Sequence, residues 1–326
     1  MPDETDDTAD GNRSDAGHAG KAGATAQGET RCGFIAVIGA PNAGKSTLVN
    51  TLVGTKVSIV SRKVQTTRMA IRGIATEGAS QLVFIDTPGI FAPRRRLDRA
   101  MVNAAWGRAG EADLIVLIVD AVRGIDEEVD SILSRLETQR RPVLLVLNKV
   151  DKLADKSALL KLATAISARH AFAEVFMVSA LKGGGIDRLR QALARLVPAG
   201  PWHYGPDDVT DMPLRILAAE ITRERIYDRL HEELPYAIAV ETTAWKELRD
   251  KSVRIEQTIF VERDSQRQIV IGKGGEIIKA ISTEARKEIA DIVERPVHLF
   301  LFVKVKENWV DDPERYRDIG LDFPKD

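Results

Sequence analysis

From Phe34 to Val178, short runs of unbroken apolar residues alternate with longer amphipathic stretches: FIAVI at 34–38, LVFID at 82–86, LIVLIV at 114–119, VLLVL at 143–147 and VFMV at 175–178. A strand covered by helices on both faces needs no polar alternation, so these runs predict an α/β fold with a mostly parallel sheet and crossover helices. The shorter, mixed segment 69–75 reads as an edge strand, for which antiparallel pairing is open. The rhythm stops at Val197. Residues 198–213, PAGPWHYGPDDVTDMP, predict a linker or extended crossing segment.

Beyond Pro213 the order of elements changes. A helical stretch at 214–231 is followed by strand-like runs at 236–243 and 253–262, by helices around a glycine cluster at 264–293, and by a strand at 297–305. This pattern predicts an α+β domain with its own core. The chain thus divides into a tail (1–30), a first domain (31–197), a linker (198–213), a second domain (214–310) and a C-terminal tail (311–326) that carries no assignment.

Composition narrows the class. A chain of 326 residues with 44% hydrophobic content is long enough for two domains. Residues 1–30 hold seven acidic and two basic side chains and are expected to be disordered; they mask a body of net charge about +4 behind the overall −1. A weakly basic body permits a nucleic-acid partner without requiring one. The single cysteine, Cys32, excludes an intramolecular disulfide, no Cys/His cluster has zinc spacing, and a reducing, cytoplasmic setting is expected. The apolar runs have strand length, and the N-terminus lacks the basic and apolar segments of a secretory signal, so a soluble protein is expected.

The chemistry begins at GAPNAGKST, residues 39–47, directly after a buried strand and at the mouth of an apolar-periodic helix. The sequence matches GxxxxGK[ST], a loop whose backbone N–H groups cradle phosphates. Gly39, Ala40, Pro41, Asn42, Ala43, Gly44, Lys45, Ser46 and Thr47 are therefore candidate nucleotide contacts. Lys45 is expected at the β/γ-phosphates and is the candidate catalytic residue; Ser46 is a candidate Mg²⁺ ligand. NKVD at 148–151 follows another buried strand, where open α/β sheets bind ligands. The Asp151 carboxylate offers two acceptors to the two donors of guanine at N1 and N2, which adenine cannot match, so GTP/GDP is the expected ligand. Lys149 is expected to lay its stem over the base and Asn148 to brace the loop, with Ser179 and Ala180 on a second guanine-contacting loop.

DTPG at 86–89 supplies Asp86 as a Mg²⁺ candidate and the Gly89 N–H as a γ-phosphate sensor, a loop that phosphate loss would release. SRKVQTTR at 61–68 predicts a second switch loop, with Thr66 or Thr67 as its metal contact. In order, these motifs resemble the translation-factor-related GTPases over 31–197. Against the Ras pattern, Ile90 stands where a water-orienting glutamine would, which implies slow unassisted turnover on the order of 10⁻⁴ to 10⁻² s⁻¹. Asn42 resembles relatives activated by K⁺.

IVIGKGGEIIKAI at 269–281 places apolar residues on both sides of a tight turn. Asp264 is expected to cap a short helix ending at Gly272, and one apolar face is expected to run through Ile277 or Ile278, Ile281, Ala285, Ile289 and Ile292. The pattern resembles a type II KH domain, in which the backbone of Gly272, Lys273, Gly274 and Gly275 would clamp RNA, with Lys279 and Arg286 attracting phosphates. Together with EARKEI at 284–289 and PVHLFLFVKVKENW at 296–309, residues 31–310 resemble the Era family of GTPases. That resemblance implies binding to the 3′ region of 16S rRNA, assistance to assembly of the small (30S) ribosomal subunit, and a cytoplasmic monomer for which peripheral contact with the inner membrane is open. Two rivals remain at this stage. One is an RNA-binding assembly module whose nucleotide only stabilises the fold, against which the Lys45, Ser46 and Asp86 set argues. The other is an RNA-modifying GTPase, for which no further catalytic constellation is visible.

Overall fold

A computed structural model describes residues 29–61, 63, 66–230, 234, 238–307, 313, 316 and 321–324. The predicted apolar runs form the strands β1 (Arg31–Ile38), β3 (Ser80–Asp86), β4 (Leu114–Asp120), β5 (Val143–Asn148) and β6 (Val175–Met177), and the edge segment forms β2 (Ile71–Glu77). The sheet order is β2-β3-β1-β4-β5-β6, with β2 antiparallel to β3 and the rest parallel. Helices α1 (Lys45–Val53) and α5 (Ile186–Leu196) cover one face, burying Leu48, Leu52, Leu189 and Leu193. Helices α2 (Arg96–Glu111), α3 (Glu127–Leu136) and α4 (Ser157–Ser167) cover the other with Ala105, Trp106, Ile132, Leu133 and Ile166. Two-sided burial accounts for the fully buried β3, β4 and β5.

Residues 198–213 cross the first domain's surface. Thr210 Oγ1 donates to Arg72 O (2.7 Å), Trp202 Nε1 donates to Ala79 O (3.0 Å), and Gln81 Oε1 accepts from the His203 and Tyr204 N–H groups (2.9 and 3.1 Å). The second domain then packs α6 (Leu214–Arg229) and α8 (Glu276–Val293), with the short α7 (Asp264–Ile271), on a sheet ordered β7-β8-β9: β7 (Ala239–Glu247), β8 (Val253–Val261) and β9 (Val297–Val305). Strands β7 and β8 are antiparallel; β8 and β9 are parallel.

Three expectations need correction. The run placed at 236–243 is the strand 239–247, which continues past a bulge at Thr242/Ala244; its second half is polar because this edge strand stays in ladder contact with β8 while its side chains reach solvent. Residues 236 and 237 lie outside the described residues. The helix placed at 214–231 ends at Arg229. Asp264 is the first residue of α7 and not its cap: the side chain of Gln266 accepts from the Glu262 and Arg263 N–H groups (2.8 and 3.2 Å) in the capping role. The expected apolar face of α8 holds, with Ile281, Ala285 and Ile289 buried and Ile292 packed beside them. The expectation of disorder falls on residues 1–28, outside the described residues, apart from Glu29 and Thr30. Part of the C-terminal tail returns to the first domain, where Tyr316, Leu321 and Phe323 pack against Leu97, Ala100 and Met101 of α2.

Candidate functional site

The phosphate loop runs from the C-terminal end of β1 into α1, and its glycines are dictated by what lies around them. Gly44 has φ +104°, and a Cβ there would sit 2.3 Å from Asn148 Nδ2. That amide donates to Ala43 O (2.9 Å), while its Oδ1 accepts from the Ala180 N–H (2.9 Å). Asn148 therefore joins three loops at the sheet's C-terminal edge: the phosphate loop, NKVD and the loop after β6. Lys149, in the left-handed region at φ +64°, donates Nζ to Asn42 O and to Asp120 Oδ2, both at 2.6 Å. Asp151 is exposed and accepts from Ser179 Oγ (2.5 Å), a hydrogen bond that holds its carboxyl below the usual carboxylate range. Its partners position the carboxylate at the mouth of a cavity of about 660 Å³ that reaches from Ala180 to Gly89.

The other end of that cavity is lined by Lys45, Ser46 and Thr67. Lys45 is buried, and its Nζ donates to Gly39 O (3.2 Å) and Ala40 O (3.0 Å). Burial, reinforced by Lys149 and opposed by Asp86, brings its pKa down to about 8. Asp86 is fully buried, and its Oδ2 accepts from Ser46 Oγ (2.7 Å), Ser58 Oγ (2.6 Å) and Thr67 Oγ1 (3.3 Å). Burial pushes its carboxyl up against those hydrogen bonds and the Lys45 charge. Among the described residues, Asp86 Oδ1 has no hydrogen-bond partner. A buried carboxylate oxygen left over beside two hydroxyls, Ser46 Oγ and Thr67 Oγ1 (2.9 Å apart), fits the hard oxygen donor set of Mg²⁺. Ser46, Thr67 and Asp86 are the residues that would hold the ion. Bound there, Mg²⁺ would neutralise phosphate charge.

The two threonine candidates separate: Thr67 joins the Asp86 corner, whereas Thr66 Oγ1 donates to Lys63 O (2.7 Å). Ile90 is buried with its side chain in the core beneath α2, so it offers nothing to a water at the phosphate end. Sequence reasoning missed Ser58, Asp120 and Asn50. Asp120 ends a buried strand, the same signal that marked NKVD. Ser58 and Asn50 carry no such mark; Asn50 matters because Nδ2 donates to Ser58 O (2.7 Å) while Oδ1 accepts from the Val57 and Ser58 N–H groups.

In the second domain, Gly272, Gly274 and Gly275 have φ of +76°, +61° and +80°, so a turn of this shape selects glycine. A Cβ at Gly272 would also meet Ile277 Cγ1 at 2.6 Å. Lys273 and Lys279 are exposed at this turn, but Arg286, also exposed, stands about 16 Å further along α8. The apolar residue beside the turn that sequence reasoning did not single out is Ile269, 51% exposed on α7.

The chain matches the family model described as 50S ribosome-binding GTPase over residues 34–149 and the KH domain model over 233–310. It is 63% identical to GTPase Era of Afipia carboxidovorans over 91% of this chain and 96% of that protein. The chain belongs to the GTPase Era family. GTPase Era of Rhizobium meliloti, also 63% identical, covers 91% of this chain and 94% of its own length. A crystal structure of Era in complex with MgGDPNP and nucleotides 1506–1542 of 16S ribosomal RNA matches with TM-score 0.85 and 38% identity, over 89% of this chain and 99% of that one. A crystal structure of a single-substitution variant of Aquifex aeolicus Era bound to GDP.AlF4⁻ matches with the same TM-score, identity and coverage. As in Era proteins, a P-loop GTPase domain precedes a KH domain, and among the described residues no helix is long and apolar enough to cross a membrane.

One feature of this Era-family site joins the SRKVQTTR segment to the second domain. The loop between α1 and β2 is pinned to the second domain along its length. Lys56 pairs with Glu224 and Glu288, the Val60 N–H donates to Glu224 Oε1 (2.7 Å), and Lys63 Nζ donates to the Tyr227 and Leu230 carbonyls. Arg223 Nη2 donates to Thr66 O (2.6 Å), and Arg68 donates to Ile238 O (2.7 Å) and Tyr227 Oη (3.0 Å). Thr67 thus faces Asp86 while its neighbour Arg68 faces the KH domain.

Proposed function

We propose that this chain is a Mg²⁺-dependent, slowly hydrolysing GTP switch that binds the 3′ region of 16S rRNA through its KH domain and assists assembly of the 30S subunit. The observation that carries this reading is the convergence of Ser46 and Thr67, with the buried Asp86 behind them, at one end of a cavity whose other end is set by Asn148 and Asp151. Asp151 would accept from guanine N1 and N2, Lys45 would turn from the Gly39 and Ala40 carbonyls to the phosphates, and the Gly89 N–H would meet the γ-phosphate. With Ile90 buried in the core, no side chain at that position orients the attacking water, which supports turnover on the order of 10⁻⁴ to 10⁻² s⁻¹ without a partner.

The RNA reading is supported by the three positive-φ glycines of the GKGG turn and by the likeness, over 89% of this chain, to an Era crystallised with 16S rRNA nucleotides. That likeness spans 89% of this chain, whereas the 50S ribosome-binding GTPase family model matches residues 34–149 alone. Gly272, Lys273, Gly274, Gly275 and Lys279 would contact the RNA, with Arg286 reaching only a strand that extends along α8. Nucleotide state would pass to the KH domain by direct contact, from Thr67 to Arg68 and from Thr66 to Arg223, in addition to any route through residues 198–213. We place the chain in the cytoplasm as a monomer, with membrane contact, if any, peripheral. A K⁺ requirement rests on Asn42 and predicts faster hydrolysis in K⁺ than in Na⁺.

The decisive experiment is sequencing of RNA crosslinked to the chain in cells, comparing the unmodified protein with Gly274→Asp. Enrichment of the 16S 3′ region that Gly274→Asp removes is expected; an unchanged RNA profile would overturn the clamp. Absence of GTP turnover even with ribosomal subunits present would leave only the RNA-binding module.

A further inference from the structure

Strand β9 alternates cleanly. Val297, Leu299, Leu301 and Val303 turn inward against the helices, while His298, Phe300, Phe302 and Lys304 turn to solvent. Phe300 and Phe302 are 43% and 47% exposed, and they are the only aromatic side chains among the exposed large hydrophobic residues described. An apolar ring left half in water on a sheet face is unfavourable for the isolated chain, and two on one face form a patch. Register with β8 sets Arg254 beside His298 and Phe260 beside Lys304, so the rings are bordered by cationic or ionisable groups at both ends. The Arg254 guanidinium lies over the Phe300 ring, 4.7 Å from its centroid, and is held by Glu256 (2.8 Å), the acidic side chain aligned with Phe300.

We propose that this solvent face is a second RNA contact, in which unpaired bases stack on Phe300 and Phe302 after the strand leaves the GKGG clamp. Residues two apart on a strand lie about 6.7 Å apart, leaving each ring its own open face. Aromatic rings on a sheet take up two or three unstacked bases in other RNA-binding folds, and bordering cations attract the backbone. Continuity favours RNA as the occupant. The inward side of the same strand, at Leu301 and Val303, packs with Val270 of α7, the helix that ends in the clamp, and β9 is an edge strand of its sheet, so RNA leaving the clamp has to cross only this one edge to reach the rings on the opposite face. A KH clamp holds about four nucleotides, and a longer strand needs a further surface. The inference rests on the RNA-binding reading given above.

The test uses the full chain and fluorescence anisotropy with two single-stranded RNAs from the 16S 3′ end, one of about four nucleotides and one of about twelve. The pair Phe300→Leu with Phe302→Leu keeps apolar bulk while removing the stacking faces, and Phe302→Trp keeps a stacking face. The Leu pair is expected to weaken the longer RNA by about five- to hundredfold per lost stack and to leave the shorter RNA unchanged, with Phe302→Trp binding both normally. Gly274→Asp is expected to weaken both. Affinity of the Leu pair for the longer RNA within twofold of the unmodified chain would overturn the proposal. Intact RNA affinity combined with weakened association with small ribosomal subunits would also overturn it, and would assign the face to a protein. Failure of the unmodified chain to bind either RNA would remove the RNA-binding reading itself, and this inference with it.

Discussion

Replacing Arg68 by Met tests whether nucleotide state reaches the KH domain by contact. Arg68 is 5% exposed, directly follows Thr67, and spans the domain boundary with two hydrogen bonds, to Ile238 O at 2.7 Å and Tyr227 Oη at 3.0 Å. A hydrogen bond from a charged donor contributes about 1.5–3 kcal/mol, and the Ile238 carbonyl would lose this charged donor. Burial of the guanidinium, which pulls its pKa down, opposes that contribution, and methionine relieves it. The net cost is therefore set at about 2 kcal/mol, below the sum of the two bonds. Denaturant unfolding should show this loss. Titration of the twelve-nucleotide RNA against the GTP-analogue and GDP forms should show the ratio of their affinities moving towards one. Coupling between sites commonly amounts to about 5- to 150-fold, so a collapse is measurable. An Arg68→Met chain that loses the stability but keeps the full ratio would refute direct transmission through this residue and return the role to residues 198–213. A chain that loses neither would show that the buried contact carries no net free energy.

Asp151→Ala should weaken GDP binding by about tenfold or more for each lost charge-assisted hydrogen bond and erase the preference over ADP; calorimetry showing undiminished affinity would sink the guanine assignment. Gly44→Ala should abolish nucleotide binding at wild-type concentrations, because the added Cβ meets Asn148 Nδ2 at 2.3 Å and the backbone is left-handed; retained GDP affinity in a filter assay would show that the Asn148 brace is dispensable. Lys45, with a folded pKa of about 8 against 10.5 unfolded, destabilises the nucleotide-free chain by about 3 kcal/mol below pH 8, and that penalty should fade as pH rises from 8 to 10.5. Lys45→Met should accordingly be more stable than the unmodified nucleotide-free chain at pH 7 while losing nucleotide binding, and equal or lower stability by denaturant titration would contradict the burial argument.

Local chemistry made much of this molecule legible in its sequence. Strands buried on two faces announce themselves as unbroken apolar runs, which is why β1 and β3 to β5 could be placed, whereas the apolar run of β6 belongs to a largely exposed edge strand; a phosphate loop or a GKGG turn selects glycine for backbone reasons that neighbouring residues reveal. The polar half of β7 was not legible, because a strand held by its ladder to β8 needs no apolar pattern, and Asp264 lost its expected capping role because the helix begins one residue earlier than expected, with Arg263 at the cap position and Gln266 accepting from the Glu262 and Arg263 N–H groups. Tertiary structure alone separated Thr66 from Thr67, since only the position of Asp86 tells which of two adjacent hydroxyls meets it. It also decided that Arg68 and Arg223 bridge the two domains and that two phenylalanines of β9 stand in solvent. Such facts depend on which distant segments the packing brings within a few ångströms, and distance across the fold is not written in the order of residues along the chain.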